Sequence, residues 1–213
     1  MFSTRLGAVI EYAGLLVTVG VERGLLGPRE APGVWERHLL NCAVAVADVP
    51  AGADVADVGS GAGLPGLVWA MARPDLSVTL IEPLLRRFTF LAEAVAALHL
   101  ERVEVLRARA EDLAGHRSFD VVTARAVAPL DRLAGWCLPL VRPGGWLLAM
   151  KGESAAQELS DAQATLRRAG ATHAEVRTYG EGRLATPVRV VSLQRRSESP
   201  RPTTPAADGE GTT

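Results

Sequence analysis

Hydrophobic and polar positions divide the chain into two parts with different periodicities. Up to about residue 50, apolar residues recur at helical spacing, which predicts two helices separated by a loop over residues 24–33. The predicted apolar stripes are Leu6, Ile10, Ala13, Leu16 and Val17 in the first helix, and Trp35, Leu39, Cys42 and Val46 in the second. From Asp54 onward, short apolar runs alternate with helix-patterned stretches, which is typical of a doubly wound, mostly parallel sheet.

Seven short apolar runs have the length and composition of strands. They cover residues 55–58, 78–81, 103–106, 119–123, 146–150, 174–179 and 188–193. The last two runs are expected to pair through a turn at residues 180–182, and a helix is expected over residues 155–168. The clearest helical stripe follows the second run and consists of Phe88, Leu91, Ala92, Val95 and Leu98. The pattern therefore predicts an α/β fold with about seven strands and N-terminal helices.

The chain has the size of one globular unit, since its 213 residues are 48% hydrophobic and 22% charged. We expect an N-terminal helical extension (residues 1–50) packed on the main domain (residues 51–196). Residues 197–213 contain no Leu, Ile, Val, Phe, Tyr or Trp, so this segment is predicted to be a disordered tail.

Charge and cysteine content restrict the function classes. The net charge of -1 and the pI near 6.4 give no global signal for a polyanion partner, so a nucleic-acid surface must be local. Cys42 and Cys137 have neither disulfide-framework nor metal spacing, which favours a reducing, cytoplasmic compartment and no metal. The N-terminal apolar stretch contains Glu11 and is too short for a membrane span. Lys151 is the single lysine and Asn41 the single asparagine, so both are candidate functional residues.

A glycine loop, DVGSGAGLPG over residues 57–66, follows the first strand and opens the first crossover helix. This is the context of a nucleotide-binding loop. Leu64 occupies the position of the third glycine in a dinucleotide fingerprint, which favours S-adenosylmethionine over NAD. Glu82 ends the next strand, where a carboxylate can accept hydrogen bonds from ribose hydroxyls in either cofactor. A tight turn without a ligand is the alternative interpretation.

The ends of the third and fourth strands offer further candidates. Ala110 and Glu111 lie where an adenine would bind, although Glu111 could simply complement a helix dipole. The fourth strand ends in Ala124-Arg125-Ala126 and holds neither an [N/D]-P-P-[Y/F] set nor a Pro-Cys nucleophile. Methylation of exocyclic amines or of pyrimidine carbon is therefore disfavoured.

Four motifs carry a resemblance to a known family: His38-Leu-Leu-Asn41, the loop at residues 57–66, Ala124-Arg125-Ala126 and Met150-Lys151-Gly152. In this order, and over nearly the whole chain to about Arg195, they resemble the bacterial 16S ribosomal RNA guanine-N7 methyltransferases, also called glucose-inhibited division protein B. The resemblance implies a Rossmann-like class I methyltransferase fold. It also implies a cytoplasmic enzyme that transfers a methyl group from S-adenosyl-L-methionine to N7 of guanine 527 in the 530 loop of 16S rRNA.

The resemblance also implies a set of cofactor-binding residues. The family's positions match Gly59, Leu64, Ala110, Glu111 and Arg125. The residue pattern itself adds Gly61 from the glycine loop and Glu82 from the end of the second strand. Many relatives have Asp at the position of Glu82, a difference of one methylene group that does not alter its expected role.

Guanine N7 has an in-plane lone pair and no proton, so its methylation needs no general base. The catalytic residues are therefore unknown, and the expected contribution of the enzyme is alignment. His38, Asn41 and Lys151 are candidates for positioning guanine or RNA, with a purely structural role as the alternative for each. A basic rim for RNA is expected from Arg86, Arg87, Arg107, Arg109, Arg125, Arg132 and Lys151. Candidate stacking partners are Trp35, Trp69, Trp136 and Trp146, most of which are expected in the core.

Two other functions stay open at this point. An NAD-dependent dehydrogenase is disfavoured by Leu64 and by the lack of a residue pair for hydride chemistry. A non-catalytic ribosome assembly factor that senses S-adenosylmethionine would bind RNA without turnover. The expected partner is 16S rRNA in the small subunit or its assembly intermediate, with a monomeric protein and no DNA or membrane partner.

Overall fold

The computed structural model of the chain describes residue 2 and residues 5–197. The predicted tail, residues 197–213, lies outside the described residues except for Ser197, so its disorder stays a prediction. Within the described part of the chain, no helix has the length and apolar character needed to cross a membrane.

Within residues 5–197, seven strands form one sheet in the order β3-β2-β1-β4-β5-β7-β6. They are β1 (Asp54–Val58), β2 (Ser77–Ile81), β3 (Val103–Leu106), β4 (Phe119–Arg125), β5 (Val141–Lys151), β6 (Ala171–Tyr179) and β7 (Val188–Arg195). The strands from β3 to β5 run parallel, whereas β7 is antiparallel to both β5 and β6. The predicted α/β fold is therefore confirmed, and the last two strands pair as a hairpin as predicted.

In the part of the chain that the structure describes, seven α-helices flank and precede the sheet. They are α1 (Leu6–Leu15), α2 (Asn41–Val44), α3 (Gly66–Ala72), α4 (Leu85–Ala97), α5 (Ala110–Leu113), α6 (Leu130–Cys137) and α7 (Ala155–Arg168). Two π-helical turns, Leu16–Gly20 and Trp35–Leu40, belong to the N-terminal segment, and three 3₁₀ turns cover Ala31–Gly33, Ala45–Asp48 and Leu138–Leu140.

Helices cover both faces of the sheet and create two apolar cores. On one face, Leu16 and Leu39 from the N-terminal segment are buried in the same cluster as Trp69 of α3. On the other face, Leu133 of α6 and Leu166 of α7 are buried in the second cluster. The N-terminal segment thus packs in the main core of the molecule, where burial of such side chains contributes about 1.5–3 kcal/mol each.

The first predicted stripe is partly wrong, because α1 turns a different face inward. Leu6 and Ile10 are 51% and 55% exposed, whereas Val9 and Tyr12 are fully buried. The inward face is set by Tyr12, whose hydroxyl reaches the backbone of the glycine loop. Leu6 and Ile10 consequently lie on the exposed side of α1.

Two further expectations need correction. In α4, Ala92 is exposed, and the buried face runs through Phe90, Leu91 and Ala94 toward Leu98. Strand β5 begins five residues earlier than expected, because the segment Val141–Gly145 continues the strand with a register shift instead of forming a separate turn.

Candidate functional site

Two cavities open where the parallel strands end, on either side of the segment that follows β4. The smaller has a volume of about 410 Å³ and the larger about 740 Å³. Ala126 and Val127 line both cavities and therefore form the wall between them. The strand order reverses between β1 and β4, which is the place where open α/β sheets bind ligands.

The smaller cavity brings together four of the predicted cofactor residues from three successive strand ends. Its polar and glycine positions are Gly59, Glu82, Arg87, Arg109 and Glu111, and its apolar walls include Ile81, Leu84, Ala110, Val127 and Trp136. A carboxylate beside apolar walls fits the ribose and adenine of S-adenosylmethionine. Trp136, one of the four candidate stacking residues, lies in the wall of this cavity.

Glu82 is the central polar group of the smaller cavity. Its side chain is buried, with one carboxylate oxygen accepting from the Gly61 N–H (3.0 Å) and the other from the Leu84 N–H (3.0 Å). The Arg87 guanidinium lies 3.8 Å away. Because each carboxylate oxygen has a second lone pair, Glu82 can still accept two hydroxyl donors. Gly61 does not line the cavity but is connected to it through this bond.

The glycine loop is held from behind by Asp57. One of its carboxylate oxygens accepts from the Gly66 N–H (2.9 Å), and the other is buried without a hydrogen-bond partner. Burial raises the pKa of Asp57 to about 7. A Cβ on Gly66 would lie 2.7 Å from this carboxylate and 2.4 Å from the Leu80 side chain, so the position requires glycine. The loop conformation is therefore fixed by packing within the protein.

Helix α1 contacts the glycine loop, and α2 contacts the helix α3 that follows it. The buried Tyr12 hydroxyl donates to the Ala62 carbonyl (2.7 Å), and the Trp69 indole donates to the Cys42 carbonyl (2.9 Å). Leu64 is half-buried and packs against the main core, and it lines neither cavity. Its contact with the cofactor stays a prediction.

Arg125 points toward the N-terminal segment and away from the smaller cavity. Its guanidinium lies 2.7 Å from His38 Nδ1 and 3.2 Å from Cys42 Sγ, and it lies 3.4 Å from the Arg37 carbonyl. Burial, reinforced by the adjacent Arg125 charge, lowers the pKa of His38. With Nδ1 accepting from Arg125, neutral His38 carries its proton on Nε2, 3.5 Å from Glu30. The structure thus gives Arg125 a bracing role that its sequence position did not indicate.

The larger cavity contains two of the three candidates for positioning guanine. Asn41 and Lys151 line it, together with Arg125, Glu153, Glu158, Arg189 and backbone of the segment after β4. His38 does not line it, because its ring is buried against Arg125. The cavity therefore offers cationic and amide donors as well as carboxylate acceptors to a polar, planar ligand.

Lys151 is tied to two elements at once. Its ammonium group donates to the Ala128 carbonyl (2.6 Å) and to Glu158 (2.7 Å). Glu158 also accepts from the Leu130 N–H (3.1 Å) and the Ser154 hydroxyl (3.0 Å). Although burial alone would raise the pKa of Glu158, its bonds from Lys151 and Ser154 hold that pKa below the usual value. Sequence reasoning missed Glu158, whose one local signal is its place in the first turn of α7.

The basic residues predicted for RNA follow the strand ends as expected. Arg86, Arg107, Arg109 and Arg132 are exposed. Of the tryptophans, Trp69 is buried and Trp35 is 37% exposed. Within residues 5–197, no three His, Cys, Asp or Glu side chains converge in a way that could hold a metal ion.

Comparison with known proteins gives concordant results. The model of the family GidB, rRNA small subunit methyltransferase G, matches residues 5–186. The chain is 54% identical to the ribosomal RNA small subunit methyltransferase G of Salinispora tropica, over 99% of the chain and 90% of that protein. It is 61% identical to the protein of the same name in a Nocardioides species, over 84% of the chain and 71% of that protein.

Solved structures share the fold at low sequence identity. The S-adenosylmethionine-dependent methyltransferase SibL superposes with a TM-score of 0.62 at 22% identity, covering 79% of this chain and 57% of SibL. An O-methyltransferase family protein from Burkholderia thailandensis superposes with a TM-score of 0.59 at 17% identity, covering 92% and 68% of the two chains. These likenesses establish the class I methyltransferase fold.

Proposed function

The chain belongs to the rRNA small subunit methyltransferase G family, and we propose that it methylates N7 of guanine 527 in the 530 loop of 16S rRNA. S-adenosylmethionine is the methyl donor. The observation that carries the proposal is the pair of cavities that meet at the Ala126–Val127 wall, because a transferase must hold donor and acceptor side by side. Family membership removes the dehydrogenase alternative.

The smaller cavity is proposed to bind the cofactor. Glu82 would accept the ribose hydroxyls, and Gly59 would allow the backbone to approach the ligand, since its φ of +68° suits glycine. Ala110 and Glu111 would lie beside the adenine. When bound, S-adenosylmethionine supplies an electrophilic methyl group on a sulfonium.

The larger cavity is proposed to receive the target guanine. Asn41 and Lys151 lie on its walls and offer the amide and ammonium donors that a guanine edge can accept. A base inside a folded RNA must leave its stack to enter such a cavity. N7 is already a nucleophile without losing a proton, so the enzyme residues need only align it. This explains why no base or nucleophile is required in the cavity.

The exposed arginines around the strand ends are proposed to contact RNA phosphates. Arg86, Arg107, Arg109 and Arg132 lie on the same edge of the sheet as the two cavities. Such contacts supply affinity without sequence information. We further propose that the protein acts as a monomer in the cytoplasm on the small subunit or its assembly intermediate.

A genetic test addresses the proposed position directly. A bacterial strain deleted for its own enzyme of this family should lack N7-methylguanine in the 530 loop, and expression of this chain should restore it. Mass spectrometry of the isolated rRNA fragment measures the modification. Restoration at a different guanine would contradict the proposed position, and RNA binding without methylation would favour the non-catalytic assembly factor.

A further inference from the structure

The single lysine of the chain lies in the larger cavity with its charge already paired. Lys151 Nζ is 2.7 Å from a Glu158 carboxylate oxygen, and the two side chains are 10% and 26% exposed. Charges at such low exposure are weakly screened by salt and water, so each would act strongly on a neighbouring ligand. Pairing with Glu158 therefore removes the Lys151 contribution from the positive charge of the cavity.

The significance of this pairing rests on the proposed function. In N7 methylation, the guanine lone pair forms the bond to the methyl carbon, while the C–S bond breaks and its electron pair stays on sulfur. No proton is transferred, so positive charge moves from sulfur to the guanine ring. A fixed cation beside the base opposes that movement, and a neutral pair does not.

The other charges of the larger cavity make the pairing more important. Arg125, Lys151 and Arg189 are its cations, and Glu153 and Glu158 are its carboxylates. Arg125 directs its guanidinium toward His38 and Cys42. Loss of the Glu158 charge would leave three cations against one carboxylate, with the unpaired ammonium of Lys151 enclosed in the cavity wall.

We propose that Glu158 is a positioning residue that cancels the Lys151 charge beside the reacting guanine and so favours formation of the cationic product. Glu158 acts through Lys151 and does not need to touch the base. Its carboxylate also holds the Leu130 N–H at the start of α6. If Glu158 were only structural, the hydrogen bond from Leu130 would be its whole role. The experiment must therefore separate the charge of Glu158 from its hydrogen bond to Leu130.

The variant Glu158→Gln removes the charge while its amide oxygen can still accept from Leu130. We expect kcat on small ribosomal subunits to fall roughly tenfold or more, because only part of a unit-charge interaction changes as the positive charge moves from sulfur to the guanine ring. We expect KM to stay the same or fall, because the unpaired ammonium attracts RNA. Binding of the variant to subunits without cofactor, measured by filter retention, should likewise be unchanged or tighter.

The matched control is Asp161→Asn, which makes the same acid-to-amide change on α7 at an exposed residue that bonds Gln157 and does not line the larger cavity. It should leave kcat and KM within about twofold of the wild type. A second control introduces Glu158→Gln into a protein that already carries Lys151→Gln. With the ammonium absent, adding Glu158→Gln should change kcat by less than about twofold.

Three results would overturn the inference: an equal loss of kcat on adding Glu158→Gln in the Lys151→Gln background, a raised KM with unchanged kcat, or weaker subunit binding. Each would assign Glu158 to bracing alone. Failure of the proposed function is distinguishable, because it would appear as an absence of N7-methylguanine in the wild-type reaction.

Discussion

At the scale of single residues, the site depends on a few buried carboxylates whose environments differ. Glu82 has backbone N–H groups on both oxygens, whereas Asp57 has one oxygen with a partner and one without. Glu82 lines the smaller cavity, whereas Asp57 lies behind the glycine loop, where burial raises its pKa to about 7. The two acids, 25 positions apart in the sequence, therefore have different roles at the same loop.

The role of Glu82 is tested by Glu82→Gln, which replaces one acceptor oxygen with a donor. We expect the Kd for S-adenosylmethionine, measured by calorimetry, to rise roughly tenfold or more, the value of one hydrogen bond to a charged group. The exposed Glu101→Gln, before β3, is the matched control and should leave Kd unchanged. An unaltered Kd in a folded Glu82→Gln protein would place the ribose elsewhere.

The role of Asp57 is visible in the pH dependence of stability. Its folded pKa of about 7 exceeds the unfolded value near 3.9, so folding takes up a proton between these limits. The unfolding free energy of the wild type, minus that of Asp57→Asn, should rise as pH falls from 7 toward 4, by up to about 1.4 kcal/mol per pH unit.

Urea unfolding at several pH values measures this difference. His38 acts in the opposite sense, since its lowered pKa costs stability as pH falls below about 6.5. His38 is present in both proteins, and its contribution cancels from the difference. A difference that does not vary with pH would mean that Asp57 stays ionised when buried.

At the scale of secondary-structure elements, the strands could be predicted well and the N-terminal segment could not. Each strand end is preceded by an apolar run that a parallel sheet buries on both sides, so the pattern is strong. The early start of β5 was missed because Pro143, Gly144 and Gly145 have the composition of a turn. The π-helical turns have no distinct apolar period, and the inward face of α1 is decided by the Tyr12 contact.

The connection between α1 and the glycine loop predicts a measurable coupling. Tyr12→Phe leaves the Ala62 carbonyl without its buried donor, so we expect a loss of about 1–3 kcal/mol in unfolding free energy. Because the loop is then less firmly held, the Kd for S-adenosylmethionine should rise severalfold. Thermal or urea unfolding and calorimetry give the two quantities.

The control for this coupling is Tyr179→Phe. Tyr179 donates to Asp48, which lies outside the glycine loop, and its loss should reduce stability without altering the Kd. If both variants weaken cofactor binding to the same degree, the effect reflects general destabilisation, and Tyr12 has no special connection to the loop.

At the scale of the whole molecule, the sequence could place the site but not orient every residue in it. Gly59, Glu82, Ala110 and Glu111 were predictable as neighbours because parallel strands end at one edge of the sheet. The direction of Arg125 depends on how the N-terminal segment packs. Glu158 joins the site from α7, the helix after β5. None of the sequence motifs indicates that its carboxylate pairs with Lys151.

The molecule has two adjacent cavities, which are proposed to hold the methyl donor and a guanine of the small subunit. The net charge near zero gives no support for RNA binding by itself, so the local arrangement of exposed arginines must supply it. The most direct test is methyl transfer from labelled S-adenosylmethionine to small subunits purified from a deletion strain, with the modified base identified by mass spectrometry. We predict label in N7-methylguanine within the 530 loop. Label at any other base, or no label despite tight cofactor binding, would contradict the proposed function.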